Sequence, residues 1–280
     1  MSILNHVKNK LNLEIGVSSR LLTDYDLVKG ISVLSKYGIK NMEISSSPVF
    51  DGRDKELLSK LEKGIRGKVN IVQTHPGGDK YDLSVDEPRG RKRPLEHLKE
   101  WVKDFVGYDR PILVVHPSEV FPLTEERQSR LAICKRNLVE LVSFCEEHDT
   151  KVAVETMWNI SAQTGKVSIL GETEEEFLEI VNCTESKHFG IHIDTGHSHL
   201  LGNLMRMVEL AEDRLFSLHV HDNHGRKEGP AWDEHLIPGK GDIDWQDFTQ
   251  MLSRVNYRGT FLLELPPKGD LEERLRGILT

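Results

Sequence analysis

Residues 218–241, LHVHDNHGRKEGPAWDEHLIPGKG, gather His219, His221, His224 and His235 around Asp222, Asp233 and Glu234. Imidazole nitrogens and carboxylate oxygens bind zinc, manganese, iron or cobalt, and they move protons near neutral pH. The same residue types recur along the chain, each at the end of a short apolar run. His75 closes VNIVQTH, His116 closes ILVVH, Glu155 closes KVAVE, Asp194 closes FGIHID with His197 just beyond, and Glu264 closes TFLLE. A single histidine or glutamate in such a place is ordinarily a hydrogen-bonded rim residue. The joint occurrence of His75, His116, Glu155, Asp194, His197, His219, Asp233, His235 and Glu264 is different, because burying them all in one pocket would be too costly unless cations neutralised them. The pattern predicts a centre for divalent zinc, manganese or cobalt, with one to three ions per chain. No thiolate belongs to it, which argues against a structural zinc site.

The elements that must position these groups read as short Val-, Ile- and Leu-rich runs, each followed by a longer stretch of helical periodicity, the pattern of buried parallel strands joined by crossover helices. Eight strands are predicted, over 13–18, 41–46, 69–76, 112–118, 151–156, 189–197, 215–222 and 260–265. A helix example is DYDLVKGISVLSKYG, where Leu27, Ile31 and Leu34 share a face and Gly38 caps the end. Strict alternation with no linker-like tract predicts an α/β fold, a single (β/α)8 TIM barrel over residues 1–280. In that fold the carboxyl ends of the strands converge on one mouth, where the active site is built.

Composition narrows the function. Lys and Arg total 37 against 45 Asp and Glu, a net charge of −8, so the global field favours neither nucleic acid nor an anionic membrane. Cys134, Cys145 and Cys183 show no C-x-x-C spacing, which speaks against a disulfide framework and for a reducing, cytoplasmic setting. No run approaches a membrane span and the amino terminus lacks a signal-peptide pattern. Neither Gly-x-Gly-x-x-Gly after the first strand nor a P-loop is present, so nucleotide cofactors gain no support.

The remaining polar residues divide. His192 lies two residues before Asp194 on the same side of its strand, one layer deeper, and reads as a core histidine. His199 is a cap or a support for the cluster, and His224 a loop residue. His221, two residues beyond His219, either orients a metal ligand or touches substrate. Trp158 reads as core or as an apolar wall for a substrate ring. Arg89 and Arg91, with Lys92 and Arg93 in PRGRKRP, form a basic run after the third strand; solvated surface is the ordinary reading, and a contact to a substrate phosphate or carboxylate the functional one.

The motifs VVHPS, VAVETMWN, HIDTGH, HVHDNHG, DEHLIPGKGDIDW and FLLEL, in this order at successive strand ends, resemble the xylose isomerase-like TIM-barrel superfamily. That superfamily joins sugar isomerases and epimerases with the DNA repair enzyme endonuclease IV. The resemblance covers nearly the whole chain. It implies that Glu155, Asp194, His219 and Glu264 form the metal site shared by both groups. From the endonuclease it further implies one ion at His75 and His116 with Glu155 bridging, and another at His197, Asp233 and His235. Two departures stand out. The endonuclease carries a DNA-wedging tyrosine three residues after the first histidine, where this chain has Gly78, and ketose 3-epimerases usually carry a glutamate soon after the fifth-strand ligand, which ETMWNISAQ lacks.

The constellation thus supports a metal-dependent isomerase or epimerase of a sugar, polyol-derived ketone or sugar phosphate, in which the ion stabilises an enediolate and Glu155 and Glu264 move the proton. The alternative is an endonuclease IV-like hydrolase of a phosphodiester or small phosphoester, the only reading with DNA as a partner. A barrel that only binds ranks behind both, and oligomeric state is left open.

Overall fold

The computed structural model describes residues 3–46, 55–86, 92–123, 126–225, 233–267 and 269–279. Eight parallel strands form the barrel wall: β1 Ile15–Ser18, β2 Asn41–Ser45, β3 Asn70–His75, β4 Ile112–Val115, β5 Val152–Glu155, β6 Phe189–Asp194, β7 Leu215–His219 and β8 Phe261–Leu263. From β1 to β7 each pairs with the next, and β8 pairs with β1. Between β7 and β8 the ring is joined by Val220, whose N–H donates to the Leu262 carbonyl at 2.8 Å while its own carbonyl accepts from Glu264 N at 3.1 Å. The eight predicted strands are therefore all present, in the order of a (β/α)8 TIM barrel.

The wall forms because its residues are apolar toward the helices. Val152, Val154, Ile191, Ile193 and Leu218 are fully or almost fully buried against a helical layer. That layer includes Leu27–Lys36, Pro94–Phe105, Arg127–Glu147, Leu204–Ala211 and Trp245–Arg254. Each such side chain contributes about 1.5–3 kcal/mol by leaving water. Toward the barrel axis the residues are polar instead: Glu43, Gln73, His192, Ser217 and His219 are all buried there. Among the described residues no helix is long and apolar enough to cross a membrane.

Several strands end earlier than the sequence expectation, the fourth at Val115, the seventh at His219 and the eighth at Leu263. The sixth strand, expected to run to 197, ends at Asp194, whose carboxylate accepts from His197 N at 2.8 Å and caps the helix Thr195–Leu201. A side chain that satisfies a free helix N–H marks the helix start and so ends the strand. In addition, Phe121–Pro122 and Val167–Ser168 pair antiparallel outside the barrel, a ribbon that the eight-strand reading did not contain.

Candidate metal centre

The carboxyl ends of the strands open into a cavity of about 860 Å³. Of the nine predicted ligands, all but Asp194 and His219 line it. Those two are completely buried beneath its floor. The barrel thus brings together every ligand position read from the sequence, in a shallower and a deeper tier.

The deeper tier is centred on His219. Its Nδ1 stands 3.4 Å from Glu155 Oε1, 3.5 Å from Glu264 Oε2 and 3.8 Å from Asp194 Oδ2. Its Nε2 is 2.6 Å from Glu43 Oε2, so that nitrogen carries the hydrogen and Nδ1 turns its lone pair toward three carboxylates. Lone pairs facing one another in a dry pocket require a cation among them. Tetrahedral zinc, with ligand bonds of about 2.1 Å, separates its ligand atoms by about 3.4 Å, close to the observed spacing. In a metal-free chain a proton takes the cation's place: burial alone would lower the His219 value, but Glu43, Glu264 and Glu155 hold it well above the usual histidine range. Burial would raise Glu155, yet His75 and His219 hold it well below the carboxylate range, and His219, His235 and Arg20 do the same for Glu264.

Glu155 faces two ways. Oε1 points to His219, while Oε2 lies 3.4 Å from His75 Nδ1 and 3.3 Å from His116 Nε2. His75 and His116 approach each other at 3.1 Å through their Nε2 atoms. Glu155 Oε2 and His75 Nδ1 are buried without a hydrogen-bond partner, and together with His116 Nε2 they offer converging ligand atoms to a further cation, whereas His116 Nδ1 turns away toward Glu119 Oε1 at 3.5 Å.

The third group is spaced differently. His197 donates from Nδ1 to the Thr156 carbonyl at 2.9 Å and presents Nε2 to Asp233 Oδ2 at 3.4 Å. His235, whose Nδ1 meets the Glu264 carbonyl at 3.2 Å, places Nε2 only 2.6 Å from Asp233 Oδ2 and 3.3 Å from Arg20 Nη1. The shorter distance is that of a charge-assisted hydrogen bond, not of two ligands around one ion. A guanidinium already occupies this corner, since Arg20 also donates to Glu264 Oε1 at 3.3 Å.

His221 is completely buried and does not line the cavity; its Nε2 donates to Asp194 Oδ2 at 3.0 Å and so orients that carboxylate from behind. Room for the ring exists because residue 196 is glycine: a Cβ there would lie 2.1 Å from the imidazole. Trp158 lines the cavity with its ring 4.5 Å from that of His197, a wall rather than buried core. His192 is a core histidine bonded to Ser217 Oγ at 2.7 Å, and His224 pairs with Glu234 on the loop. Arg89 and Arg91 lie outside the described residues. Lys92 engages Glu100 of the helix Pro94–Phe105, and Arg93 engages Asn137 of the helix Arg127–Glu147.

The loop that carries Asp233 and His235 is organised by Asp222. Its fully buried carboxylate accepts from Asn223 N, Gly239 N, Ile243 N and Trp245 Nε1 at 2.6–3.2 Å. Its backbone pairs with Leu236 in both directions. Asp222, Arg20 and Glu43 were not singled out as site residues by the sequence. Only Asp222 had a usable signal there, the glycines and tryptophan that follow it in IPGKGDIDW.

Comparison with known proteins agrees with this fold. A D-psicose 3-epimerase of Enterocloster bolteae is 26% identical over 246 residues, covering 85% of this chain and 76% of the relative. The crystal structure of a D-tagatose 3-epimerase-like protein superposes with a TM-score of 0.75 at 25% identity, covering 95% of this chain and 96% of that one. The IOLI protein, solved with a bound zinc atom, gives a TM-score of 0.74 at 17% identity over 95% of each chain. The family model for the xylose isomerase-like TIM barrel matches residues 31–279. The chain belongs to the xylose isomerase-like TIM-barrel family.

Proposed function

We propose that the protein is a divalent-metal-dependent isomerase or epimerase of a sugar or sugar phosphate, with the ion held by Glu155, Asp194, His219 and Glu264. The observation that carries this reading is the spacing around His219 Nδ1, with three carboxylates at 3.4–3.8 Å on the floor of an open cavity. Proton removal from a carbon beside a carbonyl leaves an enediolate, and a bound divalent ion supplies the charge that offsets it. Glu155 and Glu264 reach this point from β5 and β8, with β6 and β7 between them. Both are held ionised, so either can take the proton; in an isomerisation the carboxyl so formed gives that proton back at the neighbouring carbon, and in an epimerisation the opposite carboxylate must first draw a proton from solvent before delivering it to the other face.

The surroundings suit a small polar substrate. Trp158 offers a flat apolar face, and Asp233 and His235 offer hydrogen bonds to hydroxyls. Arg20 and Lys80 are the cations on the described cavity wall, and a substrate phosphate would be received there. Sugar epimerases among the relatives support the same substrate class.

The hydrolase reading draws on His75 Nδ1, His116 Nε2 and Glu155 Oε2, which converge and would accept a further ion. Against it stand the 2.6 Å contact of Asp233 with His235 and the guanidinium of Arg20 beside them. Gly78 also disfavours a duplex-DNA substrate: with φ of 95° it holds a conformation that side-chain-bearing residues rarely adopt, so a wedging residue has no ready place there.

The test is solvent exchange. The manganese- or cobalt-loaded protein, incubated in deuterium oxide with a panel of ketoses, aldoses and their phosphates, should place deuterium on the carbon beside the carbonyl of at least one member. Incision of an abasic-site duplex should be absent. Efficient incision with no deuterium incorporated into any sugar would overturn the reading.

A further inference from the structure

Beneath the centre lies a carboxylate that the apolar pattern around it conceals. Glu43 sits in β2 between Met42 and Ile44, where strand alternation would place an acidic residue in solvent. In the barrel it points to the axis instead and is completely buried. The β2–β3 pairing shifts register between Met42 and Glu43, so that Met42 faces Ile71 and Glu43 faces Gln73. Such irregularities re-aim side chains beside sites.

Glu43 Oε2 accepts two hydrogen bonds, from His219 Nε2 at 2.6 Å and from Gln73 Nε2 at 2.7 Å. The His219 ring is clamped on its other sides by His75, stacked parallel at 5.2 Å, and by His192, edge-on at 4.1 Å. Burying a carboxylate without need costs several kcal/mol, so its place here asks for a function. His219 has only two nitrogens, and Glu43 holds the one turned away from the cavity.

We propose that Glu43 is a positioning residue for the metal centre. By accepting the Nε2 hydrogen of His219, it fixes the tautomer that leaves the Nδ1 lone pair facing Glu155, Asp194 and Glu264, and it locks the ring at that angle. The inference rests on the reading of His219 Nδ1 as a metal ligand. A carboxylate behind a ligating imidazole also increases the basicity of the ligand nitrogen, and loss of such a partner typically costs 10–100-fold in metal affinity.

The test compares the full-length protein with Glu43→Gln, which keeps volume and an acceptor oxygen but removes the charge; Gln73 can turn its own amide to match. Zinc and cobalt affinities are measured by competition with a chromogenic chelator, together with the visible absorption of the cobalt form and the circular dichroism of the fold. The expected result is an affinity lowered by roughly 10–100-fold, an altered cobalt spectrum and an unchanged fold. A folded variant with wild-type affinity and spectrum, even if less heat-stable, would show a merely structural carboxylate and overturn the proposal. If Glu43→Gln does not fold, Glu43→Asp, which keeps the charge but withdraws it from Nε2, should fold and show the same loss of affinity; wild-type affinity in that variant overturns the proposal. A wild-type chain that takes up neither zinc nor cobalt fails differently, since it removes the metal reading of His219 itself.

Discussion

Replacing Asp222 by asparagine probes how the loop bearing Asp233 and His235 is held. The native carboxylate is completely buried and accepts four N–H donors, two on each oxygen. An amide keeps one oxygen, so two donors lose their partner and face an NH₂ group that itself donates. Each hydrogen bond to a charged group contributes about 1.5–3 kcal/mol, and a buried donor left unsatisfied costs about 1–3 kcal/mol. Partial relaxation of the loop brings the net cost to about 2–4 kcal/mol, which for a chain of this size lowers Tm by roughly 4–16 °C. Alanine, which satisfies none of the donors, should cost at least as much. Calorimetry on Asp222→Asn gives the stability change, and hydrogen exchange read by mass spectrometry locates it. Peptides over 233–245 should lose protection while those over β6 and β7 keep it. A Tm within about 1 °C of wild type with unchanged exchange over 233–245 would refute the reasoning.

Further predictions concern chemistry and pH. Glu264→Gln removes one of the two proton carriers while leaving volume and fold, so kcat on the sugar found by deuterium exchange should fall by about 10²–10⁴-fold; an unchanged kcat would remove Glu264 from the proton path. In the metal-free chain, burial would lower His116, His197 and His221, but carboxylates around them push His116 and His197 up to about 10 and His221 to about 9. Folded values above the unfolded value near 6.5 mean that protonation stabilises the metal-free fold fully below pH 6.5. That stabilisation is lost progressively as pH rises toward 9 and 10, at about 1.4 kcal/mol per pH unit for each proton shed. Thermal melts of the metal-free chain from pH 6 to 9 should therefore fall, with the manganese-loaded chain changing less, whereas parallel profiles would contradict the ion-for-proton exchange.

The fold was legible because buried parallel strands are short runs of Val, Ile and Leu, and such runs recur at VAVE, GIHID and FLLE with helical stretches between them. The convergence of the candidate site residues was legible for a related reason: most are the charged or imidazole groups that close such a run, and barrel geometry sends residues so placed to one mouth. Glu43 escaped because alternation in NMEIS does not tell the barrel axis from solvent, and a glutamate is ordinarily on the wet side. Arg20 escaped because it follows β1 in a short helical turn, far in sequence from the Glu264 and His235 it touches. His221 shared a face with His219 in the sequence, but its burial and its contact to Asp194 could be seen only in the packed barrel.

If Glu155, Asp194, His219 and Glu264 enclose one divalent ion while Asp233 and His235 remain free to bind hydroxyls, the chain carries a single metal. Elemental analysis by plasma mass spectrometry counts it, on protein purified without chelator, dialysed against manganese or cobalt and then freed of loose ions. One exchangeable ion per chain is expected, absent from a folded His219→Ala variant. Three tightly held zinc ions per chain, or none at all, would overturn this assignment.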